Sequence, residues 1–219
     1  MNGAQDLGGQ MGFGPIELED NEPNFHAKWE ERAFALTLAM GATGSWNIDT
    51  SRHARESLPP ADYLSSSYYK IWTMGLEKLC LDKGLITESE LNSGKALEPA
   101  KAVNQVLKAE NVSAVLAKGG PANRPEQQPA RFKVGDKIRT KRMHPEGHTR
   151  LPRYARDTVG VIDAIHGVHV FPDTSAHGQG ENPTWLYSVA FKGTDIWGSD
   201  SDPSLSLRID LWEPYLDLA

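Results

Sequence analysis

Apolar positions recur at helical spacing through the first half of the chain and at alternate positions towards its end. Trp29, Ala33, Leu36 and Met40 share one face, which predicts an amphipathic helix from Lys28 to Met40 closed by Gly41 and Gly44. Asp49 is placed to cap a short helix through Arg52 and Arg55 to Leu58, stopped by Pro59-Pro60. A longer helix is predicted from about Pro60 to Lys83, with Gly84 as its stop and Leu64, Tyr68, Trp72, Leu76 and Leu79 as its stripe. Thr87 and Glu90 form a capping-box pattern for a further short helix. Weaker helical spacing links Val103, Val106 and Leu107, then Val112, Val115 and Leu116. Residues 118–130, KGGPANRPEQQPA, have no period and read as a solvated linker. Beyond them the period falls to two. Phe132 and Val134 alternate with charges, Gly135-Asp136 turns into 137–140, and Val159–Ile165 reads as a strand broken at His166-Gly167. Trp185–Phe191 and Leu205–Leu211 are further strands.

The expected architecture is therefore α+β: an extended arm over residues 1–27, a helical domain over 28–117, the linker, and a small SH3-like β-barrel over 131–219. The arm is rich in Gly, Asn and Pro and carries Glu17, Glu19, Asp20 and Glu22, so it has no core of its own and either is disordered or lies along a partner.

Length and charge narrow the classes. With 219 residues the chain can bury a real core, and its net charge of −6 argues against whole-surface binding to nucleic acid. The segment 131–156 is locally basic, but aromatic residues for base stacking are sparse there. An acidic partner or plain solvation accounts for it as well. Cys80 is the single cysteine, which excludes an internal disulfide and fits a reducing compartment. Its place beside Leu79 and Leu81 favours a buried inert thiol over a nucleophile. No apolar run approaches the roughly 20 residues of a membrane helix and no leader pattern is visible, so the expected location is the cytoplasm. The pairs His144/His148 and His166/His169 lie among Pro and Gly in a β region, so metal ligation by this chain is not expected. Gly8-Gly9 and Gly12 follow no strand, which removes a phosphate loop. The aromatic group Tyr63, Tyr68, Tyr69 and Trp72 carries polar tips that suit an interface or a pocket wall.

Several separated blocks carry a resemblance. The arm has Met1–Gly3, Asp6, Gly8, Gly9, Gly12, Gly14 and Pro15, followed by Asn21-Glu22-Pro23, Phe25 and Trp29. The helical part has Arg52-His53, Glu56, Tyr63-Leu64, Tyr68-Tyr69 and Trp72. The last part has Gly147-His148-Thr149-Arg150, Pro152, Tyr154, Arg156, Phe171-Pro172-Asp173, His177-Gly178 and the run from Asp210 to Leu216. In this order, over essentially the whole length, they resemble the nitrile hydratase β-subunit family.

The resemblance implies hydration of nitriles to amides at a non-haem Co(III) or Fe(III) ion. That ion is held not by this chain but by a partner α subunit, on a loop with two cysteines oxidised to sulfinic and sulfenic acids. It implies αβ assembly, extended to α2β2, with no nucleic acid and no membrane. The opening Met-Asn-Gly and Trp72 look more like cobalt-type relatives. By the same resemblance, Arg52 and Arg156 donate to the oxidised cysteines, with Arg150 and Arg153 as rivals for the second role. Tyr68, Trp72, Ile48 and Ser51 match substrate-pocket positions, and Glu56 and His148 match groups that orient the arginines. Two other readings compete. One is a thiocyanate hydrolase-like subunit, in which two small chains would replace the two halves. The other is a non-enzymatic SH3-like module that binds RNA or protein.

Overall fold

Serine and glycine placement decides where the helices of the first half begin and end. The structure is a computed structural model describing residues 1–219. They divide into two compact units: Met1–Asn2, Asp6–Gly12 and Gly120–Ala219 in one, and Gly3–Gln5 with Phe13–Gly119 in the other. The second unit is helical, with α1 (Lys28–Gly41), α2 (Ile48–Glu56), α3 (Pro60–Ser65), α4 (Tyr68–Asp82), α5 (Glu88–Ser93) and α6 (Val112–Lys118). No helix is long and apolar enough to cross a membrane.

Three helical expectations need correcting. The cap of α2 is Asn47, whose Oδ1 accepts from the Thr50 N–H at 2.8 Å; Asp49 is buried inside the first turn instead. The long helix expected from Pro60 is two, because Ser66 and Ser67 adopt extended backbone. Serine hydroxyls compete with helical hydrogen bonds, and three in succession are enough to interrupt the run. Residues 103–107 form no helix; regular structure resumes only at a 3-10 turn, Ala109–Asn111, leading into α6. Val103, Asn104 and Val106 are weak helix formers, and here Val103, Val106 and Leu107 line an apolar groove of about 550 Å³ with Leu36 and Leu76.

Burial on these helices is lopsided. On α1 the residues that disappear from solvent are Glu30 and Ala33, while Trp29 and Leu36 stay about half exposed. Glu30 is buried because its Oε2 accepts from the His26 N–H at 2.7 Å and so closes the helix start. On α4, Gly75, Leu79 and Cys80 are buried, but Tyr68 at its start is 64% exposed. Leu64 on α3 is 52% exposed. The capping box of α5 forms as expected, with Thr87 and Glu90 each bonding the other's backbone N–H. Three backbone N–H groups hold the Glu90 carboxyl down at about 2. A depressed carboxyl supports the fold above its unfolded pKa, so this support is lost as pH falls from about 4.5 towards 2. Thr87→Ala should cost about 1 kcal/mol of local stability, read as faster amide exchange confined to α5.

The other unit is an antiparallel sheet of β1 (Asn123–Arg124), β2 (Lys137–Thr140), β3 (Val159–His169), β4 (Thr184–Lys192), β5 (Ser206–Trp212) and β6 (Leu216–Leu218). Two short helices, α7 (Pro172–Ser175) and α8 (Gly193–Trp197), lie between strands. The order is β5-β4-β3-β2-β6, with β1 on β3. The path ends at β5 and β6, so the sheet is open rather than the closed barrel the sequence suggested. Two further differences concern β3. It does not end at His166-Gly167 but runs to His169 through two register shifts, with Gly167 at φ +88° absorbing the second. Part of the expected linker is itself a strand: Asn123 and Arg124 pair with His169 and Val168, and Arg124 grips Glu181 at 2.7 and 2.5 Å.

The sheet's core is built from Ile138, Ile162, Tyr187, Val189, Phe191 and Leu216, all at most 1% exposed. Gly160 on β3 makes room for it. A Cβ there would stand 2.6 Å from Val189 Cγ1 and 2.8 Å from the Phe191 ring.

Candidate functional site

In the helical unit, α2 and α4 meet at Gly75. A Cβ on Gly75 would lie 2.5 Å from Arg55 Cγ and 3.5 Å from its Cα, so a larger residue would force the helices apart. That approach lays the Arg55 guanidinium over the Trp72 ring, 4.6 Å from its centroid. Arg55 Nε donates to the Ser51 carbonyl at 3.1 Å and Nη2 to Ser51 Oγ at 3.3 Å. Burial lowers the Arg55 pKa, while the guanidinium remains charged in any physiological range.

Arg52 lies on the same helix in a different setting. Its Nη1 donates to Asp49 Oδ1 at 3.2 Å, and its side chain is 44% exposed against 8% for Asp49. A buried carboxylate thus braces an exposed guanidinium whose Nε and Nη2 have no partner in this chain. Ile48, 59% exposed, begins the helix, and Glu56 ends it. Ser51 is buried and engaged with Arg55. Tyr68 and Trp72 stack at 5.4 Å between centroids, and Tyr69 and Phe34 join them at 5.9 and 6.2 Å from Trp72. Burial, then the Glu56 charge, raises the Tyr63 pKa beside this group.

In the sheet unit, Arg156 follows a 3-10 turn, Arg153–Ala155. Only 9% of it is exposed, and burial lowers its pKa. Nε and Nη2 both donate to the Leu151 carbonyl, at 3.3 and 3.1 Å. Nη1 meets Asn2 Oδ1 at 2.5 Å and His144 Nδ1 at 3.3 Å. His148 is 1% exposed, and its backbone N–H donates to His177 Nε2 at 3.0 Å. Gly147 permits this, since a Cβ there would sit 2.4 Å from that nitrogen. Nearby, the Tyr215 hydroxyl donates to Asp173 Oδ1 and accepts from the Arg150 N–H at 3.1 Å. Burial pushes the Asp173 carboxyl up, against hydrogen bonds from Tyr215 and Thr149 that pull it down.

Both rival arginines are accounted for differently. Arg150 is exposed. Arg153 is committed to Asp6, with its N–H on Oδ2 at 2.9 Å and Nη2 on the Asp6 carbonyl at 2.7 Å. This anchors the start of the chain, where Gly8 and Gly9 come close to the neighbouring rings of Tyr154 and Trp197. The expected site residues are thus distributed over both units: Ile48, Ser51, Arg52, Glu56, Tyr68 and Trp72 in the helical one, His148 and Arg156 in the sheet. Sequence reasoning missed Arg55, Asn2 and His144 as parts of these constellations. A glycine inside an otherwise regular helix was the available sign of the Arg55 contact.

Comparison with known proteins decides the family. The model of the nitrile hydratase beta subunit N-terminal domain matches residues 1–116, and that of its C-terminal domain matches residues 121–218. The chain belongs to the nitrile hydratase beta-subunit family. It is 40% identical over 220 residues to nitrile hydratase subunit beta of Pseudomonas putida, covering 100% of both chains. It is 38% identical over 225 residues to the low-molecular weight cobalt-containing nitrile hydratase subunit beta of Rhodococcus rhodochrous, covering 99% of each. Thiocyanate hydrolase subunit alpha of Thiobacillus thioparus is 32% identical over 92 residues, spanning 41% of this chain and 73% of its own. A nitrile hydratase beta subunit is one part of a hydro-lyase that functions as a complex, and the match along the whole chain sets that reading above the thiocyanate-hydrolysing one.

Proposed function

We propose that this chain, with a metal-bearing α subunit, hydrates small nitriles to amides in the cytoplasm, and that Arg52 and Arg156 are its donors to oxidised cysteine oxygens on that subunit. The observation that carries the arginine assignment is Arg52 itself: a guanidinium braced by a buried carboxylate, with two donor nitrogens unpartnered. Sulfinate and sulfenate oxygens are anionic acceptors, and a guanidinium meets them with a planar fork. Such bonds also hold those oxygens against further oxidation. Arg156, fixed by the Leu151 carbonyl, is a second rigid donor. Tyr68, Trp72, Ile48 and Ser51 form the pocket wall; Glu56 and His148 help to orient the arginines. The α subunit covers the exposed Ile48, Leu64 and Tyr68, giving αβ pairs that assemble to α2β2.

This chain's own residues do not fit a thiolate-held metal. Cys80 is its only cysteine, it is buried on α4, and burial raises the thiol pKa away from the thiolate form. On this reading the ion is held by the α subunit as Co(III), a choice that the cobalt-containing relatives support over Fe(III). When bound, it supplies Lewis acidity for a nitrile nitrogen or for an activated hydroxide. The separately purified chain should be inactive and hold well under one cobalt or iron per molecule, with hydration appearing on addition of the metal-loaded α subunit. Tightly bound stoichiometric metal in the lone chain would overturn the assignment. Thiocyanate turnover by the complex in place of nitrile turnover would support the runner-up.

A further inference from the structure

Arg156 is gripped from two sides by groups of opposite character. At the buried side, the carbonyl of Leu151, a residue 1% exposed, takes both Nε and Nη2. The other side, Nη1, faces two exposed residues, Asn2 and His144, so it is the end of the guanidinium nearest the surface. Asn2 Oδ1 accepts from Nη1 at 2.5 Å, and Asn2 Nδ2 approaches His144 Nδ1 at 3.1 Å. Both neighbours of His144 Nδ1, Asn2 Nδ2 and Arg156 Nη1, are donors, so in this arrangement that nitrogen presents its lone pair to them. One side chain must offer an acceptor to the cation and a donor to that lone pair. A carboxamide does both; a carboxylate would set a second acceptor against the imidazole nitrogen, and an alkyl group offers neither.

We propose that Asn2 is a positioning residue for Arg156 in nitrile hydration, closing a three-membered Asn2–His144–Arg156 ring that sets the plane of the guanidinium. The proposal rests on the reading of Arg156 as a donor to the α subunit. Leu151 alone holds the fork along one edge and leaves rotation about that edge open. Asn2 removes that freedom from 154 positions away in the chain, so the contact is not a by-product of local backbone geometry. A bond with one charged partner is stronger than a neutral one. A donor held within a few tenths of an ångström is also worth more in a transition state than the same donor left to swing.

The test uses the metal-loaded αβ complex carrying Asn2→Ala, Arg156→Lys or both. Asn2→Ala should lower kcat about tenfold while KM stays within about twofold, since the loss falls on transition-state alignment. In the Arg156→Lys background the same change should lower kcat by less than about twofold, because the group it positions is gone. A merely structural role for Asn2 would give equal losses in both backgrounds, and that result overturns the proposal, as does an unchanged kcat in Asn2→Ala. Full activity in Arg156→Lys would remove the arginine reading itself. A crippled Arg156→Lys beside an unaffected Asn2→Ala removes only the role of Asn2. Asn2 is exposed, so the melting temperature of Asn2→Ala should match the parent complex and confirm that the comparison is between folded enzymes.

Discussion

Arg52→Lys in the assembled, metal-loaded enzyme is expected to lower turnover by about 10²-fold, a loss of roughly 2.7 kcal/mol of transition-state stabilisation. Lysine keeps the charge and can still pair with Asp49, so a mild effect would follow if charge alone mattered. What it loses is the planar set of donors, of which Asp49 occupies only Nη1 in the native protein. Melting should barely change, because the side chain is 44% exposed and lysine still offers a cation to the buried Asp49 carboxylate. The matching Arg156→Lys variant is expected to lose as much activity but also some stability, since it vacates a buried carbonyl, that of Leu151. If both lysine variants retain full turnover with metal and cysteine oxidation intact, the two arginines are not the groups that serve the reaction.

The largest stability effect is expected at Phe191→Ala. The ring is 1% exposed, sits on β4, and fills the space left open by Gly160 on the neighbouring strand. Truncating a fully buried phenylalanine costs about 3–5 kcal/mol, a large part of the 5–15 kcal/mol that holds a typical domain together. Leu36→Ala on α1, about half exposed in this chain, should cost under about 1 kcal/mol in the isolated subunit. Denaturant midpoints of the two variants check the contrast. A Phe191→Ala midpoint near that of the parent would mean that the sheet core is not where the stability lies.

Much of this architecture was legible in the sequence because it depends on local patterns. The switch from three- and four-residue spacing to alternation places α1, β4 and β5 within a residue or two and the end of α4 at its glycine stop, and the Thr87–Glu90 box is visible as four letters. What failed depended on competition or on distance. Asn47 outcompeted Asp49 as a cap from two positions earlier, and the serine run cut a helix that periodicity alone would continue. The open ends of the sheet and the pairing of Asn123-Arg124 with β3 depend on partners more than forty positions away, which no local period records. The site shows the same division. Arg52 and Arg156 are single letters without a pattern, and only resemblance to a family separates them from the other arginines in the sequence. Asn2 and His144 around Arg156 are visible only in three dimensions.

The anchoring of Asp6, Gly8 and Gly9 on Arg153, Tyr154 and Trp197 fixes an order of events during synthesis. Asp6 docks on a residue made 147 positions later. At roughly 5–20 residues per second, the start of the chain waits about ten seconds or more for its seat to be made. Until then its glycines have nothing to lie on, and Met11 and Phe13 just beyond, 96% and 60% exposed even in the finished chain, are open to other surfaces.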